Sequence, residues 1–240
     1  MFLSDIYFFV PLHPNISIIM IKIKVSNEIA TVCPTFAGAA IEARVTNSAY
    51  SDGLWAEIHA LCEDYKNRFT TQTIKELPGV EATRRVYRAC GKDPSRYRPS
   101  SEALIRRVVQ GKDLYQIDTL VDLINLASMK YGYSIGGFDA DKFEGDTLTL
   151  GVGRKDEPYE GIGRGVLNIE GMPVYRDDKG GVGTPTSDNE RTKIEGGTTH
   201  LLVIINGYDG NRESVQANAR FVSDLLQRYA DGKDIQITDF

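Results

Sequence analysis

Three features of the chain predict an α+β fold in which a helical first half packs on a β-rich second half. Apolar residues recur at helical spacing in four segments between Ser51 and Tyr131. Beyond Gly145 the texture changes to short β-prone runs joined by glycine-rich loops. Between these regions, an apolar-faced helix opening at Asp118 gives way to glycines and the corner Phe138-Asp139-Ala140-Asp141. No repeat or low-complexity segment divides the chain. Residues 20–240 are therefore read as one domain, and residues 1–19 as an N-terminal extension.

The first twenty residues are apolar and aromatic, but Asp5 comes early, Pro11 and Pro14 interrupt them, and no basic stretch leads. They do not read as a targeting segment, and no run reaches the roughly 18 apolar residues of a spanning helix. Met20, just before the first clean strand, is a candidate start of the functional protein. Residues 18–25 (IIMIKIKV) predict a strand with one wet face, and residues 36–45 a second, with Gly38 open to close approach. Residues 51–69 predict a helix capped by Ser51 or Asp52, with Leu54, Ile58, Leu61, Cys62 and Tyr65 inward and Trp55 in the core.

Residues 79–90 predict a helix whose apolar face carries Val80, Thr83, Val86, Tyr87 and Cys90. Arg84, Arg85 and Arg88 form its other face. After Gly91, a loop with Lys92, Arg96, Tyr97 and Arg98 leads to a helix opened by Pro99-Ser100, on which Arg106 and Arg107 point outward. Residues 84–112 hold nine basic residues against two acidic ones, in a chain of net charge −5. That reads either as solvated surface or as a docking face for phosphates, with Tyr97 available to stack.

On the next helix Asp118 is the N-cap. Asn125 lies at the edge of the apolar arc, where a partly buried amide needs partners. It either holds a neighbouring loop or touches a ligand. Gly132, Gly136 and Gly137 are read as breaking the helix, and Asp139 and Asp141 as turn formers, since a calcium loop needs more ligands in order. Strands follow at residues 147–152, 165–175 and 199–206, then a helix at 211–229 and an edge strand at 233–238. The Gly161-Ile162-Gly163-Arg164-Gly165 loop lacks the context of a phosphate-binding fingerprint. The loop 180–194 packs Thr184, Thr186, Ser187, Asp188, Asn189, Glu190, Arg191 and Thr192 together, as a grip for a small polar ligand would.

The acidic balance argues against a non-specific nucleic-acid binder and leaves room for a local patch. Cys33, Cys62 and Cys90 form no paired spacing, and there are only three histidines, so neither a disulfide framework nor a metal or other cofactor is expected. A reducing cytoplasm fits best.

Asp122 and Asn125, Gly132, Phe138-Asp139 and Asp141-Lys142-Phe143-Glu144-Gly145 together carry a resemblance. It extends upstream through Arg98-Pro99-Ser100-Ser101-Glu102-Ala103-Leu104 and Arg106-Arg107-Val108, and downstream through Asp188-Asn189-Glu190-Arg191-Thr192 to Asn206-Gly207-Tyr208. Over residues 80–210 the chain resembles the tRNA-binding and editing module of the phenylalanyl-tRNA synthetase β subunit, its B three/four domain, in a free-standing form. No synthetase catalytic core with an ATP site is present, so aminoacylation is not implied. The resemblance implies hydrolysis of mischarged aminoacyl-tRNA in trans, with the tRNA acceptor end as partner and no membrane. Asn125 matches a pocket-lining asparagine. One departure stands out, because Gly136 replaces a histidine of the synthetase pattern. A Gly-Gly-Glu stretch also has no counterpart, and Asp188 and Glu190 are the nearest acids.

Ester cleavage without metal or nucleophile needs a positioned water and donors for the developing oxyanion. The expected catalytic residues are accordingly Asn125, Asp188 and Glu190. Gly136, Thr184, Thr186, Ser187 and Arg191 are the expected substrate contacts, and Arg84, Arg85, Arg88, Arg96, Arg98, Arg106 and Arg107 the expected RNA contacts. All of this requires the Asn125 helix and the 184–192 loop to face each other across a polar hollow. A non-catalytic module for tRNA or an amino acid is the alternative, and a hydrolase of small esters a third reading.

Overall fold

The computed structural model describes residues 20–240; the extension and the start of the first predicted strand lie outside them. Two four-stranded sheets organise the chain. One contains β1 (Lys22–Val25), β4 (Thr147–Val152), β7 (Pro173–Arg176) and β8 (Gly181–Gly183), in the order β1-β4-β7-β8 with β1 parallel to β4. The other contains β2 (Ala37–Arg44), β3 (Ile135–Asp139), β9 (His200–Gly207) and β10 (Lys233–Asp239), in the antiparallel order β10-β2-β9-β3. A small hairpin, β5 (Glu160–Gly161) with β6 (Gly165–Val166), stands apart. The helices are α1 (Asn27–Val32), α2 (Asp52–Arg68), α3 (Pro78–Ala89), α4 (Ser100–Val109), α5 (Thr119–Tyr131) and α6 (Arg212–Tyr229).

The alternation of β2 and β9 gives the second sheet two apolar faces. On one, Ala39, Ile41, Val203 and Ile205 pack against Leu54 and Ile58 of α2, Leu120 and Leu123 of α5, and Val215 and Val222 of α6. On the other, Ala40, Leu202 and Ile204 meet Leu148 and Leu150 of β4, Tyr175 of β7, Ile29 of α1, and Ala82 and Val86 of α3. Helices, sheet and second sheet thus form three layers. The α+β class stands, but the halves interleave: β2, from the first half, lies between β9 and β10.

Local signals act as the sequence suggests at several helix ends. The Ser51 hydroxyl accepts from Leu54 N, Asp118 Oδ1 accepts from Val121 N at 2.9 Å, and Gly132 closes α5 at φ 74°. Trp55 is buried, its indole N–H donating to the buried Asp122 carboxylate at 2.8 Å. Three readings need correction. The run through Gly136 and Gly137 is not a turn but the buried strand β3. A Cβ at residue 137 would lie 2.5 Å from Ile124 Cδ1, so glycine there lets this strand lie under α5 without displacing Ile124. The run 165–175 is two separate strands, β6 and β7. Gly171 between them takes φ 72°, and a Cβ there would sit 2.5 Å from the Cys90 carbonyl oxygen. Finally, Arg84 does not share an exposed face with Arg85 and Arg88. It is 8% exposed, donating to Glu102 Oε2 at 2.8 Å and the Pro94 carbonyl at 3.1 Å, because the buried Glu102 of α4 requires a cation.

Candidate active site

Among the described residues β3 pairs only with β9, so its outer edge offers backbone groups that need partners. The 184–192 loop supplies one: Asp188 Oδ2 accepts from Gly137 N at 3.1 Å. The loop leaves β8 and folds back on it, Gly183 bridging to Asp188 and Gly161 to Asn189. Thr184 Oγ1 accepts from Thr186 N and Ser187 N at 3.3 and 3.1 Å, which closes a tight hydroxyl-capped turn. Three neighbours pin that turn. Tyr87 and Thr186 share a hydroxyl hydrogen bond of 2.8 Å, Tyr159 Oη donates to the Ser187 carbonyl at 2.7 Å, and Ser100 N donates to the Pro185 carbonyl at 2.7 Å. Thr184 and Thr186 are both buried; the Thr184 hydroxyl is spent inside the turn and the Thr186 hydroxyl on Tyr87.

Asp188 is half-buried as a residue, yet its carboxyl lies deep against Gly136, Gly183 and the Phe138 ring. Cβ atoms at 136 and 183 would fall 3.5 and 3.0 Å from Oδ1. Burial pushes this carboxyl up to about 7, with the Gly137 N–H only partly opposing it. Oδ1 accepts no hydrogen bond from the described residues and is not among the fully buried, unsatisfied oxygens.

The other predicted groups are disposed differently. Ile124 of α5, the neighbour of Asn125, reaches Gly137 together with Ile194, so the helix and the loop do converge on β3. They converge through packed aliphatic side chains and not across the polar hollow expected between them. Asn125 itself is half-buried and makes no hydrogen bond with the described residues. Glu190 accepts from Gly163 N at 3.1 Å and pairs with Lys193 at 2.8 Å. Arg191 forms a bidentate pair with the buried Asp177 at 2.9 and 2.8 Å and also donates to the Lys142 carbonyl. That guanidinium is engaged within the fold and not held toward the β3 edge. Arg85 pairs with Glu81 along α3, and Arg88 and Arg84 border a cavity of about 430 Å³ with Lys92 and Ser95. Tyr97 is already covered by Lys92 Nζ, 4.0 Å from its ring centroid. Another cavity, of about 490 Å³, opens on the outer face of the first sheet beside Lys24, Thr149 and Arg176; neither Asn125 nor Asp188 lines it.

Sequence reasoning did not single out Gly137, Phe138 or Asp177 as parts of this region. A Gly-Gly-Phe run beside an aspartate-bearing loop was the available signal for the first two. Nothing in the sequence marks Asp177 as the partner of Arg191.

Among solved structures, the chain is similar to an N-terminal fragment of the phenylalanyl-tRNA synthetase β subunit from Pyrococcus horikoshii, at 13% identity and a TM-score of 0.49. The similarity covers 90% of this chain and 50% of that fragment, so this chain spans about half its length. No curated protein matches the sequence significantly. The family model described as the B3/4 domain matches residues 82–239, well over half of the chain, and the protein therefore belongs to the B3/4 domain family.

Proposed function

We propose that this B3/4 domain hydrolyses the ester of mischarged aminoacyl-tRNA in trans, with Asp188 as general base. The observation that carries the reading is a carboxyl raised to about 7 at the open edge of β3, with one oxygen unpartnered among the described residues. A base with its pKa near the working pH is the effective kind. In the ionised form, Oδ1 takes a proton from a water that attacks the ester carbonyl. The carbonyl oxygen's developing charge needs a hydrogen-bond donor, the role proposed for the Asn125 amide. The carbon–oxygen bond to the ribose then breaks, and the Asp188 proton passes to the departing ribose oxygen. Residues 20–240 act here as one unit, since both sheets contribute to a common core. Among the described residues, no helix is long and apolar enough to cross a membrane.

A second reading, a non-catalytic module for tRNA or an amino acid, is favoured by the packing of Ile124, Ile194 and Phe138 around Gly136 and Gly137. A panel of mischarged tRNAs separates the two. Under the first reading, at least one is deacylated, kcat/KM inflects near pH 7, and Asp188→Asn lowers the rate by roughly 10²–10⁴-fold. Absence of deacylation above buffer for every tRNA retires the first reading.

A further inference from the structure

The predicted basic patch separates into groups with different fates. Arg84 and Arg85 are neutralised by Glu102 and Glu81. Along α4 the situation differs. Arg98, Ala103, Arg106, Arg107, Gln110 and Lys112 line a groove of about 300 Å³ whose lining holds four cations and no carboxylate. Arg98 has only a distant contact, 3.9 Å, with Glu102; Arg106 and Arg107 donate to the carbonyls of Thr71 and Asp113, which carry no net charge. In a chain of net charge −5 this concentration of positive charge is local. At the far end the Arg107 guanidinium lies 3.9 Å from the ring centroid of Tyr115, a side chain 67% exposed, followed by the exposed Ile117. An open aromatic ring already stacked by arginine is a platform for a nucleobase.

The near end is tied to the candidate active site. Ser100 N, at the start of α4, donates to the Pro185 carbonyl of the hydroxyl-capped turn, two residues after Arg98 and three before Asp188. A ten-residue helix spans about 15 Å. A chain of phosphates lying on it would run from Tyr115 toward the loop that carries Asp188.

From this we infer that the α4 groove binds a single-stranded RNA segment, its phosphodiesters on Arg98, Arg106, Arg107 and Lys112 and one base on Tyr115, directing the strand's end toward Asp188. The direction of the strand rests on the proposed deacylase reading; the groove's affinity for RNA does not. The test is fluorescence anisotropy with a short labelled single-stranded RNA that carries no aminoacyl group, titrated at several salt concentrations. Heparin and a fully paired RNA hairpin serve as competitors, and thermal melts confirm that each variant is folded.

Arg98→Glu with Lys112→Glu should weaken binding at least tenfold and reduce the salt slope by about 0.7 for each lost phosphate contact. Tyr115→Ala, at an exposed position, should cost about tenfold with the salt slope unchanged. Unchanged affinity in the charge variants would overturn the inference. So would equal competition by heparin together with a silent Tyr115→Ala, because the groove would then be a polyanion site without base recognition. RNA binding through the groove without any deacylation retires the enzymatic reading alone. Deacylation with intact binding in the groove variants retires the groove alone.

Discussion

Asp177 and Asp188 stand eleven positions apart, the first just after β7 and the second in the loop after β8, and burial works to raise both carboxyls. For Asp177 that tendency is outweighed. Arg191 forks onto both oxygens, and the N–H groups of Glu144, Lys179 and Gly180 add three more donors, so the carboxyl is held below its ordinary value. Asp188 receives one backbone N–H and is pushed up to about 7. Deeper burial of the carboxyl together with fewer donors separates one poised to exchange a proton near neutral pH from a carboxylate that fixes a loop.

The largest effect should come from breaking the satisfied member. Arg191→Ala leaves the Asp177 charge in the interior without its cation, which costs about 3–5 kcal/mol and should show as a large fall in the urea midpoint. Asp188→Asn sharpens the contrast by moving stability the other way. A carboxyl with a raised folded pKa contributes stability that is fully present below its unfolded value, about 3.9, and lost as pH rises through about 7. Replacing it with the neutral amide should therefore raise Tm at pH 8 by a few degrees, at about 2–4 °C per kcal/mol, and leave Tm at pH 4 nearly unchanged. A destabilised variant at pH 8 would mean that the carboxylate is better satisfied than its surroundings indicate.

Gly137→Ala tests whether the strand under α5 is tightly committed. Its new methyl meets Ile124 Cδ1, and an overpacking cost of about 1–3 kcal/mol is expected in chemical denaturation. His200 offers a third kind of ion pair. Hydrogen bonding to the buried Glu42 at 2.7 Å raises its pKa against the opposing effect of burial, with Asp141 on the other ring nitrogen and Arg44 weakly opposing. That stability is fully present below about pH 6.5 and declines as pH rises through the folded pKa. In a pH series of melts, His200→Gln should lose its deficit relative to the unsubstituted chain as pH rises. Smallest of all, Arg85→Ala removes an exposed pair with Glu81 and should change stability by less than about 1 kcal/mol.

Much of this architecture was legible in the residues. Helical spacing located α2 through α6 to within a residue or two, because each buries one stripe against the same core. β3 was hidden: a Gly-Gly pair has the propensity of a turn, and only its position beneath Ile124 and beside Phe138 explains it as a strand. The six-residue α1 is too short to show a period. At the candidate site, the acidic loop and the Gly136 region could be named in advance, but not the different states of Asp188, Glu190 and Arg191. Those states depend on Asp177, Lys193 and Gly137, partners that come from other elements or follow no sequence pattern. Arg84 was misplaced for the same reason, since Glu102 draws it inward from another helix.

The direct measurement is an NMR titration of the aspartate carboxyl carbons, with Asp188→Asn to assign the resonance. One carboxyl should titrate with a midpoint near 7 and vanish in that variant. A midpoint for Asp188 near 4, the ordinary carboxylate value, would contradict the central claim and remove the physical basis for a base at the edge of β3.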